Sequence, residues 1–81
     1  MKAKIYITLK NGIHDPQGQA VQQSLNTLGF DTVQDVRMGK FLEVDLKDME
    51  KETAEAQIKS MCQKLLANIV IEDFRYELFD S

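Results

Sequence analysis

Hydrophobic and polar residues alternate from residue 3 to residue 10. Ile5, Ile7 and Leu9 point one way, and Lys4, Tyr6 and Thr8 the other. That period predicts a half-buried strand, broken by Asn11-Gly12. From Pro16 the period lengthens. Val21, Leu25 and Leu28 recur at i, i+4 and i+7, with Ala20 beside them, which predicts a helix over 16–28. Asp15 is a favoured cap for its start, and Pro16 suits the first helical position. Gly29 follows as the residue that ends the helix, with Phe30 placed to pack back on the last turn. Residues 33–38 read as a second strand and 41–46 as a third. In the third strand Leu42, Val44 and Leu46 share one face, and Phe41, Glu43 and Asp45 the other. Gly39-Lys40 between these strands is short enough for a tight hairpin with the glycine at positive φ. The charged and polar stretch 48–53 marks a connection or a helix start. A second helix is predicted over 52–67, with a stripe of Ala54, Ile58, Met61 and Leu65 widened by Cys62 and Leu66. Asn68 ends it as a left-handed residue. The last strand covers 69–79, where Phe74, Tyr76 and Leu78 alternate with Arg75 and Glu77.

The resulting order is β-α-β-β-α-β, a ferredoxin-like α+β pattern, in one domain spanning 1–81. Two helices would cover one face of an antiparallel sheet. The other face would carry Tyr6, Thr8, Phe41, Glu43, Arg75 and Glu77. That set is too apolar for a solvent face and too charged for a core. It predicts association through this face or through a strand edge.

Composition sharpens that expectation. A chain of 81 residues buries only roughly 60–65% of its unfolded surface, and chains of this size commonly lean on disulfides, a metal or a partner. A single cysteine excludes an internal disulfide and a cysteine-based zinc site, which leaves oligomerisation. The net charge of −3 argues against nucleic acid as the main partner. No apolar run is long enough to span a membrane, and the alternating N-terminus lacks the features of a signal peptide. A cytoplasmic location is expected, in keeping with the lone thiol.

Candidate chemistry is sparse. His14, the only histidine, has no evident orienting partner and reads as a solvated loop residue. Cys62 lies on the apolar side of the second helix and reads as a small core hydrophobe rather than a nucleophile. Glu43 with Asp45, and Glu72 with Asp73, read as charged strand surfaces. There is no GxGxxG, phosphate-binding loop or metal-ligand cluster. The stretch DPQGQAV is the one loop of interest. Gly18 opens the backbone to close approach, and helix starts attract anions. Asp15 is already an anion at that start, so a structural cap is favoured over an anion site. Gly18 would then suit a close contact with another chain.

Three stretches together resemble the PurS family, the small subunit of phosphoribosylformylglycinamidine synthase: YITLKNGIHDPQGQAV, LNTLGFDTVQDVRMGKFLEVDL and MCQKLLANIVIEDFRYEL. DPQG after a first strand, RxGK, and CxKLLAN followed by VIEDFR are jointly specific. Ile69 departs from the family pattern, which typically has proline between Asn68 and Val70. The resemblance implies a subunit without catalysis of its own. It would join a glutaminase subunit to a large synthetase subunit and help pass ammonia between them, while the complex converts formylglycinamide ribonucleotide to the formylglycinamidine in purine biosynthesis. ATP, magnesium and glutamine would serve the complex, none of them bound by this chain. The resemblance also implies dimers, with a dimer of dimers as the next order. His14, Asp15, Gln17 and Gly18, together with Arg37, Gly39 and Lys40, are the expected partner contacts, because they offer distinctive backbone in short loops.

Two other readings compete. Many domains with this order of elements bind amino acids at dimer interfaces, and Asp15 with Gly18 would suit an amino group beside open backbone. A hydrolase of acylphosphatase type shares the order too. It would need an arginine in the loop after the first strand, and Lys10-Asn11-Gly12-Ile13-His14 contains none.

Overall fold

The computed structural model describes residues 1–80. Strand β1 is Lys2–Leu9, helix α1 Pro16–Thr27, strand β2 Gly39–Asp45, helix α2 Lys51–Met61 and strand β3 Glu72–Phe79. A π-helical turn, Cys62–Leu66, prolongs α2. The strands form an antiparallel sheet in the order β2-β1-β3, with the most deeply buried strand at the centre. Ile5 stands opposite Leu42 on one side and Tyr76 on the other, and Tyr6 stands between Phe41 and Arg75.

Those registers sort the faces as expected. Ala3, Ile5 and Ile7 are fully buried, flanked by Leu42, Val44, Leu46, Phe74, Tyr76 and Leu78. Helix α2 and the π-helical turn that prolongs it cover them with Ala54, Ile58 and Cys62, also fully buried and spaced four apart. Tyr6, Phe41 and Arg75 lie on the uncovered face.

Helix α1 does not share this core. Gly18 is its one buried residue. Leu28 of the expected stripe is 73% exposed, and Val21 is partly exposed. The chain is elongated in consequence. Its Cα radius of gyration is 16.1 Å and its extents are 49 × 28 × 14 Å, where a compact chain of this length would measure about 12 Å. Only α2 lays an apolar stripe on the sheet; the stripe of α1 faces outward.

Residues 33–38 form no strand. They return beside α1, held by its side chains rather than by a neighbouring strand. Asn26 Nδ2 donates to the carbonyls of Phe30 (3.0 Å) and Val33 (3.2 Å), and Gln22 Nε2 to that of Gln34 (2.9 Å). The expected hairpin at Gly39-Lys40 is therefore absent. Both residues already belong to β2, opposite Thr8 and Ile7, and Gly39 has no positive φ. A Cβ on Gly39 would lie 2.6 Å from the Ile7 carbonyl oxygen, so the glycine serves close cross-strand approach instead of a turn.

The ends of the helices follow local chemistry. Gly29 has φ +103°. Its N–H reaches the Asn26 carbonyl (3.1 Å), and Phe30 N–H reaches that of Leu25 (3.0 Å), which is the Schellman closure. Phe30 nonetheless stays 56% exposed. Asn68 is not left-handed; its side chain accepts from Val70 N–H, an Asx-type turn that delays β3 to Glu72. Ile69 and Val70 in this turn are exposed.

Candidate functional site

The two expected contact stretches meet in one junction, where the chain leaves β1 and where it returns to β2. Asp15 is its centre. One carboxylate oxygen accepts from Gly18 N–H at 2.9 Å, capping α1. The other accepts from Met38 N–H at 2.8 Å, across 23 positions of sequence. The Asp15 side chain is 5% exposed. These two N–H groups, foremost that of Gly18, hold its carboxyl below the ordinary carboxylate range; burial opposes them and Arg37 assists.

Arg37 closes the junction from outside. Its guanidinium donates to the Ile13 carbonyl from Nη1 and Nη2, each at 3.2 Å, and to the Lys10 carbonyl at 3.3 Å. Its Nε stands 3.9 Å from Asp15. An arginine thus does reach the loop after β1, brought there from the returning leg. Three of its five N–H donors go to backbone carbonyls, both Nη atoms among them, so the fork that a phosphate would need is already engaged. Gly18 lies against the same leg: a Cβ there would run into the Val36 carbonyl oxygen.

His14 and Gln17 flank Asp15 on opposite sides. His14 joins Gln19, Gln22, Asp35 and Arg37 around a shallow polar hollow of about 170 Å³. Gln17 joins Leu9, Met38, Gly39, Lys40 and Glu72 around another of about 280 Å³. Lys40 donates to the Leu66 carbonyl (3.2 Å) and pairs with Glu72 (3.6 Å). Both hollows abut Asp15, whose carboxylate already takes two backbone N–H groups. That leaves it poorly placed to receive the amino group of a ligand. Gln22 and Asn26 escaped the sequence reading, although Gly18, Gln22 and Asn26 fall at i, i+4 and i+8 on one helix face.

No nucleophile comes into play. Cys62 is buried in the core, and burial pushes its thiol up. An alkylating reagent is expected to leave Cys62 untouched in the folded chain and to modify it readily in urea; equal rates in both would place the thiol at the surface. Among the described residues, no group of three or more His, Cys, Asp or Glu could hold a metal ion.

Two further surfaces lack a covering. The outer side of α1 carries an open hollow of about 570 Å³ lined by Ala20, Gln23, Ser24, Thr27 and Leu28. On the uncovered sheet face the Tyr6 and Phe41 rings sit 5.1 Å apart, and the Arg75 guanidinium lies 3.9 Å over Tyr6. Lys2 pairs with Glu43 at 3.0 Å and Arg75 with Glu77 at 3.8 Å. Both signs of charge are interspersed around an aromatic centre.

Residues 2–80 match the profile of the PurS family, described as phosphoribosylformylglycinamidine (FGAM) synthase. The chain is similar to the phosphoribosylformylglycinamidine synthase subunit PurS of Bacillus subtilis strain 168, with 47% identity over 77 residues, 95% of this chain and 90% of that one. It is 43% identical over 74 residues to the PurS subunit of Archaeoglobus fulgidus, covering 91% of this chain and 92% of the relative. Among solved structures, B. subtilis PurS superposes with a TM-score of 0.88 at 46% identity, over 98% of each chain. A chain in the structure of PurLQS from Thermotoga maritima superposes with a TM-score of 0.86 at 26% identity, over 94% of this chain and 93% of that one.

Proposed function

The chain belongs to the PurS family of FGAM synthase subunits, and from that premise we propose that it bridges the glutaminase and synthetase subunits and assists ammonia transfer between them. It is a non-catalytic subunit of an enzyme of purine biosynthesis. ATP, magnesium and glutamine are used by its partners and not bound by this chain. The observation that carries the reading is the match to PurS over residues 2–80. The side chains support it: the one thiol is buried in the core, and the arginine at the junction is committed to backbone. Free ammonia must be kept from water until it reacts, which gives a sealing subunit a physical purpose. The PurLQS structure of T. maritima, to which this chain is similar, supports a partnership with the other two subunits.

The same reading includes a homodimer, and a pairing of dimers. The outward stripe of α1, the mixed-charge sheet face and the extended leg 33–38 all favour burial by another copy, because self-association suits a surface carrying both charges around apolar anchors. The location proposed is the cytoplasm; among the described residues no helix is long and apolar enough to cross a membrane.

Reconstitution tests the proposal. The synthetase and glutaminase subunits are assayed for glutamine-driven amidation with and without this chain. Omission is expected to lower glutamine-driven turnover. Ammonia-driven turnover by the synthetase subunit should persist. Undiminished glutamine-driven turnover without the chain would end the bridging role.

A further inference from the structure

Residues 15–38 form an arm that departs from the sheet and comes back to it. Its outgoing leg is α1 and its returning leg is extended. Polar side chains lace the legs together along one helix face: Asn26 to the carbonyls of Phe30 and Val33, Gln22 to that of Gln34, and bare Gly18 against that of Val36. The arm buries almost none of its own apolar surface against the sheet, since Gly18 is the one buried residue of α1. Its direction must therefore be set at the root. There, a single nearly buried carboxylate receives one N–H from each leg, Gly18 at 2.9 Å and Met38 at 2.8 Å. Arg37 ties the returning leg to the end of the β1 loop through the Lys10 and Ile13 carbonyls.

We propose that Asp15 is the positioning residue of this arm, fixing both legs to one point and so setting the direction in which α1 is presented to neighbouring subunits. The inference rests on the assembly role proposed above. A helix cap alone would need one oxygen bonded to Gly18. The second oxygen, spent on Met38, does nothing for the helix and ties down the far end of the excursion. A carboxylate bonded to two backbone N–H groups is also a stiffer joint than a neutral one, because hydrogen bonds to charged acceptors are shorter and stronger.

Asp15→Asn separates the two tasks. Asparagine caps helices as well as aspartate does, so the bond to Gly18 is retained. Its amide nitrogen cannot accept from Met38. The full-length variant is compared with the native chain by hydrogen exchange and by affinity for the synthetase subunit. The expected result has three parts. Gly18 N–H and the sheet amides of Ile5 and Tyr6, in the central strand, keep their protection. Met38 N–H exchanges about 10- to 100-fold faster, as for loss of a hydrogen bond to a charged group. Affinity falls about tenfold. Asp15→Ser, which also caps but is too short to reach Met38, should behave alike if the amide perturbs folding. Unchanged protection of Met38 would overturn the clamp. Faster exchange with unchanged affinity would overturn its positioning role. Glutamine-driven turnover that ignores the native chain altogether would instead overturn the assembly role, a result that exchange rates cannot imitate.

Discussion

Ile58→Ala is expected to destabilise the chain by about 2–5 kcal/mol, the span for deleting a buried branched side chain and leaving a partly collapsed cavity. Ile58 is fully buried with Ile5 and Ile7 from β1, and Cys62 follows it one turn on. Beyond alanines, these four are the fully buried hydrophobic side chains among the described residues. At about 0.05–0.15 kcal/mol per residue, a chain of this length has roughly 4–12 kcal/mol in total. One truncation therefore removes a large share. The melting temperature should fall by about 10 °C or more, followed by circular dichroism at one fixed protein concentration, because self-association would move the midpoint.

The comparison that gives this result meaning is Val21→Ala on α1. Both residues belong to predicted amphipathic stripes of similar quality, yet Val21 is 38% exposed and Ile58 not at all. If α1 shared the sheet's core, the two truncations would have similar costs. A Val21→Ala loss as large as that of Ile58→Ala in a monomeric sample would contradict the single-helix core.

That contrast shows what the sequence could and could not convey. Strand β1 was legible because a period of two fixes which side chains share a face, and the registers place Ile5 and Ile7 where alternation puts them. The stripe of α2 was legible for the corresponding reason in Ala54, Ile58 and Cys62, whereas Leu65 of the predicted stripe, in the π-helical turn, is 83% exposed. The stripe of α1 has the same period, but periodicity reports only that a face will be covered, not by which molecule. Residues 33–38 have strand-like composition without a strand beside them, because Gln22 and Asn26 supply the hydrogen bonds that a ladder would have given. Gly39 looked like a turn residue because glycine beside a polar residue usually is one. Its use against the Ile7 carbonyl depends on β1 and β2 being neighbours, a fact of topology. Of the expected contact residues, Gly39 and Lys40 lie in β2 rather than in a loop, and only the fold could show that Asp15 and Met38 bring the two stretches to one junction.

Gly18→Ala carries the second large effect, and its sign is the informative part. Within a helix, alanine in place of glycine ordinarily stabilises by about 0.5–1 kcal/mol, because the unfolded chain loses freedom. Gly18 lies in the first turn of α1 and has no positive φ, so nothing in its own backbone forbids alanine. The objection comes from outside. A Cβ at this position would enter the space of the Val36 carbonyl oxygen and stand 2.9 Å from Asp15 Oδ2. The carbonyl is main chain and cannot rotate aside, and moving Asp15 gives up the bonds to Gly18 and Met38. Overpacking of this kind costs about 1–3 kcal/mol, which exceeds the helix gain. The net expectation is a loss of about 1–2 kcal/mol, visible as a lower urea midpoint and as faster exchange at Met38. Gly18→Ala should also weaken binding of the synthetase subunit, since the returning leg would no longer lie against α1. A variant more stable than the native chain would mean that the two legs of the arm do not touch at Gly18, and the junction built around Asp15 would fall with that contact.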